Sequence, residues 1–268
     1  MACSNVIAFL PARKGAARVR FIDMKRPVRI DQGDGPPRFP FKEVAARLRG
    51  VIYRGGRVEC SCCDRTFNLF LYSPYMTGMC PYCLSVERYR LLCRYLRDET
   101  DFGSRACRVL DVAPMWCFQE FCRSYSTIEY LSIDIASPMA MRHMDLCDLP
   151  LEDDRFDWIF CYHVLEHIDD DRKALSELFR VLAPGGRAVI QVPIHRETTV
   201  ERHELSKQEQ EEILKFADHR RAYGRDFRDL LERAGFTVEV VGFVRQFTEK
   251  EINRFGLDPT EDLYVCTK

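Results

Sequence analysis

Long hydrophobic runs are missing from this sequence of 268 residues. No apolar stretch approaches the roughly 20 residues that a membrane-spanning helix needs. The first residues, MACSNVIAFLPARKGAARVR, have a short apolar patch before their arginines. A secretory signal instead has its charges first, followed by a longer apolar core. We therefore expect a cytoplasmic protein.

An excess of charge of one sign is also missing, since 40 Lys and Arg residues face 41 Asp and Glu residues. Such a balance argues against a protein that coats nucleic acid, although a local basic surface would not change the total. Residues 1–30 are one such local segment, with seven Lys or Arg against one Asp. We expect residues 1–50 to form a partly ordered extension, with a turn-rich linker at 31–40. The alternative is an arm that touches an anionic substrate.

Cysteine is abundant, with 13 residues. A secreted disulfide scaffold would be smaller and rich in loops. Several of these cysteines, such as Cys93, Cys161 and Cys266, lie in apolar stretches, where a free thiol packs as a small hydrophobic group. The sequence therefore indicates a reducing compartment, and the clustered cysteines need another explanation.

Four of the cysteines have the spacing of a metal site. Cys60-x2-Cys63 and Cys80-x2-Cys83 are separated by sixteen residues. Two such pairs can present four thiolates tetrahedrally to one Zn²⁺, and four protein ligands leave no open position, which predicts a structural zinc. Unliganded thiols are the alternative. We assign residues 51–97 to this zinc-ribbon module and to a connecting amphipathic helix at 85–97, with Ser85 as its N-cap.

Residues 98–268 have the pattern of an open α/β sheet. The stretch 156–162 (FDWIFCY) is too apolar for a half-exposed strand and suits a strand covered on both faces. A helical period follows from Ala174, and Pro184-Gly185-Gly186 is expected to end that helix before a second buried strand. Further strands are predicted at 108–113, 129–135, 236–244 and 262–268, and a helix at 226–235.

The segments DLCDLPLEDDRFDWI, HVLEHI and ELFRVLAPGG resemble the central motifs of class I S-adenosylmethionine (SAM)-dependent methyltransferases of the type 11 group, over roughly residues 106–268. The chain also resembles a bacterial subgroup with an N-terminal zinc-ribbon-like cysteine module. The resemblance implies a Rossmann-like α/β fold: a mostly parallel seven-stranded sheet with its last strand antiparallel, plus a small N-terminal zinc ribbon. It also implies SAM as methyl donor.

In such sheets the ligand lies outside the carboxyl ends of the strands, where the strand order switches. The resemblance implies that Asp134 binds the ribose, that Asp145 and Leu146 contact the adenine edge, and that the methyl group points towards Tyr162 and His163. The candidate cofactor-binding residues are Asp111, Ala113, Pro114, Asp134, Ile135, Asp145, Leu146, Tyr162 and His163. The loop after the first strand, DVAPMWC, lacks the glycines that this family normally has there.

Methyl transfer needs alignment of the acceptor with the methyl group, and removal of a proton when the acceptor is a hydroxyl. We predict His163 and His219 as catalytic, with His167 and His195 as further candidate bases. His163, Glu166 and His167 stand at i, i+3 and i+4 of a predicted helix. They resemble the metal-binding Glu-x-x-Glu-His motif of certain O-methyltransferases; hydrogen bonds that hold the helix start are the alternative.

The segment DHRRAYGRDF (218–227) resembles a motif of the same bacterial subgroup and can form a loop over the acceptor pocket. We place Arg221 and Tyr223 on the substrate side. A turn held by hydrogen bonds is the alternative.

The predicted function is transfer of a methyl group from SAM to a hydroxyl or amine of a small-molecule, sugar or peptide acceptor. The alternative is an RNA methyltransferase that binds RNA through the zinc ribbon and the basic arm. Against RNA, the ribbon lacks dense Lys and Arg with interleaved aromatic residues. A non-catalytic scaffold with the fold of these enzymes, which would not bind SAM, is a third possibility.

Overall fold

The computed structural model describes residues 40–72, 78–194, 196–214 and 216–268. Its α-helices are α1 (Pro40–Ile52), α2 (Glu87–Asp98), α3 (Trp116–Arg123), α4 (Asp171–Val181), α5 (Lys207–Glu209), α6 (Phe227–Arg233) and α7 (Glu249–Phe255). Its strands are β1 (Arg54–Cys60), β2 (Arg65–Phe67), β3 (Cys107–Val112), β4 (Ile128–Asp134), β5 (Arg142–His143), β6 (Phe156–Tyr162), β7 (Leu182–Gln191), β8 (Val200–Glu201), β9 (Arg221–Ala222), β10 (Thr237–Val241) and β11 (Leu263–Thr267).

Seven of these strands form the central sheet, in the order β10-β11-β7-β6-β3-β4-β5. The five strands from β7 to β5 pair in parallel, and helical crossovers join several of them, as parallel pairing requires. The last strand, β11, lies between β10 and β7 and is antiparallel to both. The predicted Rossmann-like fold, with an antiparallel last strand, is confirmed.

The position of β6 in the sheet explains why Trp158 to Tyr162 are all apolar. Trp158, Phe160 and Tyr162 enter the hydrophobic core on one face of the sheet. Ile159 and Cys161 enter the core on the other face. Because both faces are covered from Trp158 onwards, neither set of alternating side chains meets solvent there. The polar residue of the strand, Asp157, lies near its start and pairs with Arg108 at the surface.

Helix α4 ends earlier than predicted. Its last residue is Val181, and the chain is extended from Leu182 onwards, so Pro184 to Gly186 lie at the irregular start of β7. Proline disfavours helical backbone in the residue before it, which here is Ala183. The proline therefore stops the helix from continuing, although it lies three residues after the last helical residue.

The start of α2 also differs from the prediction. The helix begins at Glu87, and its N-cap is Val86, whose side chain makes no capping bond. Ser85 is fully buried instead, with its Oγ 3.0 Å from Cys60 Sγ. Its hydroxyl is thus directed at the cysteine cluster rather than at the helix backbone.

Helix α1 crosses residue 50, the predicted boundary between the extension and the zinc-ribbon module. The basic segment 1–30 and almost all of the predicted linker at 31–40 lie outside the described residues. Within the described ranges, no helix combines the length and the hydrophobicity needed to cross a membrane.

A buried arginine joins the cysteine-containing part of the chain to the sheet domain. Arg90 of α2 is fully buried. Its guanidinium donates hydrogen bonds to the carbonyl oxygens of Phe255 (2.8 Å), Gly256 (2.5 Å), Ser85 (2.6 Å) and Gly78 (3.1 Å). One side chain thereby holds α2, the segments flanking Cys80 and Cys83, and the C-terminal end of α7.

We predict that Arg90→Leu lowers the free energy of unfolding by about 3 kcal/mol or more, because four buried carbonyl oxygens lose a charged donor and each costs about 1–3 kcal/mol. Urea denaturation measures the change. The matched control is Arg105→Leu, since the Arg105 side chain is 80% exposed and pairs with Asp101 at the surface. The control change should lower the free energy of unfolding by less than about 1 kcal/mol. Equal effects of the two changes would contradict the role of Arg90.

Candidate functional site

Two turns of the same geometry bring the four cysteines together. The N–H of Asp64 donates to the carbonyl oxygen of Cys60 (2.9 Å), and the N–H of Leu84 donates to that of Cys80 (3.0 Å). Asp64 and Leu84 both have positive φ, at 52° and 59°. Each C-x2-C pair is therefore closed by one left-handed residue, although neither is a glycine.

The four sulfur atoms suit a tetrahedral metal. The Sγ atoms of Cys60 and Cys83 are 3.5 Å apart, those of Cys63 and Cys80 are 3.8 Å apart, and all four lie within 4.8 Å of one another. Four thiolates at about 2.3 Å from a tetrahedral Zn²⁺ would be about 3.8 Å apart. The donor set and its spacing thus fit zinc.

The thiols of this cluster ionise unequally. Burial and then the hydrogen bond with Cys60 oppose ionisation of Cys83, but hydrogen bonds with Cys62, Cys63 and Cys80 lower its pKa to about 5. The pKa values of Cys63 and Cys80 are raised, chiefly by their hydrogen bonds with Cys60. Four adjacent thiolates therefore need a cation among them.

The fifth cysteine of this segment does not join the four. The Sγ of Cys62 lies 3.3 Å from the Sγ of Cys93 on α2, and both are buried. All the cysteines that the structure describes are free thiols.

The carboxyl ends of β3, β4 and β6 lie side by side in the sheet. Asp111, near the end of β3, is buried and accepts a hydrogen bond from the Tyr130 hydroxyl at 2.5 Å. Burial raises the pKa of Asp111 to about 7, against the lowering effect of that hydrogen bond. Ala113 follows with φ of 54°, and its N–H donates to the carbonyl oxygen of Ile133 at 2.8 Å. The loop without glycine still makes the left-handed turn that favours glycine.

Asp134 is the last residue of β4. Its Oδ1 accepts hydrogen bonds from the N–H groups of Ala136 (2.8 Å) and Ser137 (2.7 Å). Ile135, the next residue, has a side chain that is 73% exposed. The end of β4 therefore presents a carboxylate beside an exposed apolar surface.

The remaining predicted cofactor residues flank this edge. Asp145 follows β5, is exposed, and accepts the N–H of Cys147 on its Oδ1 at 2.8 Å. Leu146 is buried in the core. Pro114 is also buried, between the left-handed Ala113 and the start of α3.

Tyr162 and His163 stand at the end of β6. The Tyr162 hydroxyl is buried without a hydrogen-bond partner in the described ranges, and its ring stacks on Tyr89 of α2, with the centroids 5.4 Å apart. The Nδ1 of His163 lies 3.3 Å from Oε1 of the buried Glu166. Burial, and then the nearby positive charge of Arg88, lower the pKa of His163, against the opposing effect of Glu166. His163 is therefore neutral at pH 7.

The segment HVLEH does not open an α-helix, contrary to the prediction. His163 has φ of 55°, which interrupts helical backbone, and Leu165–His167 form a single 3-10 turn. The next helix, α4, begins at Asp171 and is capped by Asp170, whose side chain accepts the N–H of Lys173. The contact between His163 and Glu166 thus arises from a turn.

The loop between β8 and α6 is fastened by the two residues predicted on the substrate side. Arg221 is buried and donates to Glu201 Oε1 (2.8 Å) and to the carbonyl oxygen of Ile168 (2.6 Å). Tyr223 is buried, and its hydroxyl donates to Asp171 Oδ2 at 2.7 Å. In this conformation both side chains hold the loop against the segment after β6, as in the alternative interpretation of a hydrogen-bonded turn.

The histidine of this loop reaches the same segment. His219 is nearly buried, and the centroid of its ring lies 4.8 Å from that of His167. Burial lowers the pKa of His219. Ligand atoms of Glu166, His167 and His219 all lie within 4.8 Å of one another. His195 lies outside the described residues.

Three polar residues near His163 were missed in the sequence. Arg88 lies in the first turn of α2, which we had treated only as a connector. Gln191, at the end of β7, donates to Glu261 Oε1 at 2.9 Å. Burial raises the pKa of Glu261 to about 7, against the lowering effects of Gln191 and Arg88. The available signal was a charged first turn, Glu87 and Arg88, directly before Tyr89 on the apolar face of the helix.

Part of the sequence is similar to known methyltransferases. Residues 105–190 match a family model described as a methyltransferase domain. Norajmaline N-methyltransferase of Rauvolfia serpentina is 27% identical over 115 residues, which is 42% of this chain and 37% of that protein. Chloroplastic tocopherol O-methyltransferase of Arabidopsis thaliana is 35% identical over 83 residues, or 29% of this chain and 24% of that protein.

The chain thus spans well under half the length of these curated relatives. Among solved structures, a SAM-dependent methyltransferase from Archaeoglobus fulgidus superposes with a TM-score of 0.48 at 18% identity, over 68% of this chain and 94% of that one. The sheet domain thus has the Rossmann-like methyltransferase fold, and part of it matches the methyltransferase-domain family model.

Proposed function

We propose that the protein is a SAM-dependent methyltransferase acting on a hydroxyl or amine of a small molecule. The observation that carries this proposal is the shared edge of β3, β4 and β6, where Asp111, Asp134 and His163 stand at adjacent strand ends. Ligands of open α/β sheets bind at this position. The matched family segment includes all three residues.

Asp134 and Ile135 would hold the adenosine part of SAM. Both backbone N–H groups that contact the Asp134 carboxylate use Oδ1, so Oδ2 can accept the ribose hydroxyls. The exposed Ile135 offers the adenine ring an apolar surface, with Asp145 and Leu146 at its edge. The Asp111 carboxyl would face the methionine part, whose positive charge favours the ionised form of this acid.

His163 is the residue we assign to proton removal. Bound SAM supplies a methyl group on a positively charged sulfur, so the leaving group needs no help from the protein. Glu166 Oε1 holds the Nδ1 side of His163, which leaves Nε2 of the neutral ring as the basic nitrogen. Arg221 and Tyr223 act as positioning residues, because they fix the loop that carries His219.

The acceptor is assigned by class only. The relatives include one named as an N-methyltransferase and one named as an O-methyltransferase, both for small molecules. This favours a small-molecule acceptor over sugar, peptide or RNA. Binding of RNA that weakens steeply with added salt would favour the RNA alternative.

Cys60, Cys63, Cys80 and Cys83 would hold a structural Zn²⁺. The spacing of their sulfur atoms supports this, as does their position at the ends of two equivalent turns. The ion would fix the start of α2 and so the position of Arg88 and Tyr89 near His163.

We predict that Asp134→Asn weakens SAM binding at least tenfold, because a charge-assisted hydrogen bond of about 1.5–3 kcal/mol is lost while the shape is kept. Isothermal titration calorimetry with SAM measures the affinity. Asp148→Asn, a change of an exposed acid near the same edge, is the matched control and should bind SAM as the unmodified protein does. An Asp134→Asn variant with unchanged affinity would refute the ribose assignment.

We predict about one zinc per chain in the purified protein, measured by plasma mass spectrometry. Cys83→Ser should lose the metal and unfold more readily, since structural zinc contributes folding free energy. Cys62→Ser is the matched control, because Cys62 is a buried neighbour that faces Cys93, and this variant should keep its zinc. A stably folded protein without metal would remove the zinc assignment.

A further inference from the structure

A second group of potential metal ligands lies beside His163, separate from the cysteine cluster. Glu166 and His167 come from the turn after β6, and His219 comes from the loop before β9. Their ligand atoms lie within 4.8 Å of one another. Two segments about 50 residues apart in the chain thus bring one carboxylate and two imidazoles to the same point.

The carboxylate of this group has one oxygen without a partner. Glu166 is 2% exposed, its Oε1 contacts His163, and its Oε2 has no hydrogen-bond partner in the part of the chain that the structure describes. A buried acceptor without a partner is costly, and buried charges are normally paired or bound to a metal. A cation next to Oε2 would remove this cost.

His167 also has a buried ring nitrogen without a hydrogen-bond partner among the described residues. Its Nδ1 lies 3.1 Å from Asp218 Oδ2, but the two are not aligned for a hydrogen bond, and Nδ1 has no other partner among the described residues. The His167 side chain is partly exposed, so its ring can rotate. A metal bonding to each ligand at about 2.1 Å needs them about 3–3.5 Å apart, which small rotations can provide.

We propose that Glu166, His167 and His219 bind one divalent transition-metal ion. Two imidazoles and one carboxylate suit Zn²⁺, Mn²⁺, Fe²⁺ or Co²⁺, whereas Mg²⁺ and Ca²⁺ prefer sites made of oxygen alone. Three protein ligands leave at least one coordination position open. The site differs from the group His163, Glu166 and His167 considered in the sequence, because His163 contacts the other oxygen of Glu166.

The open position gives the site a role that rests on the proposed function. Glu166 contacts His163 with one oxygen, so the metal lies one side chain away from the proposed proton acceptor. A hydroxyl or amine of the acceptor that binds at the open position would be oriented towards His163. Metal coordination also lowers the pKa of a bound hydroxyl.

The test uses the full chain with its cysteine site already filled by zinc and with excess metal removed. Mn²⁺ is added and followed by electron paramagnetic resonance, because Mn²⁺ prefers nitrogen and oxygen ligands to thiolates. The expected result is one Mn²⁺ per chain. His167→Asn and His219→Asn should each weaken Mn²⁺ binding at least tenfold, and Glu166→Gln should do the same with little change of shape.

Two variants serve as controls. His203→Asn changes an exposed imidazole of the same loop and should bind Mn²⁺ normally. His163→Asn should also keep the site, since His163 is not a ligand. The proposal is overturned if the zinc-filled protein takes up neither Mn²⁺ nor a second Zn²⁺, or if His167→Asn binds metal normally. SAM calorimetry on the same samples separates failure of this site from failure of the proposed function.

Discussion

The Arg90 guanidinium is the contact on which the arrangement of the site depends. A cation with no exposed surface is stable only if its donors find acceptors, and here carbonyl oxygens from three separate segments supply them. These segments lie in the cysteine module, at the start of α2 and at the end of α7. Because they share one donor, the position of α2 over the sheet is fixed.

The position of α2 also determines which side chains lie at the end of β6. With α2 held in place, Tyr89 stacks on Tyr162, and the charge of Arg88 acts on the neighbouring His163. The cysteine module is therefore structurally linked to the sheet domain. It supports the helix that lies beside the end of β6, and would link the proposed structural zinc to the proposed acceptor site through that helix.

Patterns with a strict physical cause could be predicted from the sequence. The apolar run of β6 follows from burial on both faces, and the spacing of the two C-x2-C pairs indicated that their four sulfur atoms come together. The turn at His163 could not be foreseen, because a left-handed histidine has no sequence signature and HVLEH fits a helical spacing equally well. The burial of Arg221 and Tyr223 was also hidden, since polar residues in a loop normally face solvent.

Glu166 lies between the proposed base and the two histidines of the proposed metal site. Its Oε1 contacts the proposed base, its Oε2 has no hydrogen-bond partner among the described residues, and the buried carboxylate lies close to two imidazoles. A sheet edge that binds SAM would place the methyl group beside this carboxylate network, at Tyr162 and His163.

The most direct measurement of this central claim is an NMR experiment with SAM labelled with ¹³C in its transferable methyl group. The account predicts nuclear Overhauser contacts between that methyl and the ring protons of His163 and Tyr162 in the complex. Bound SAM whose methyl group contacts neither ring, or a protein that binds no SAM, would contradict it.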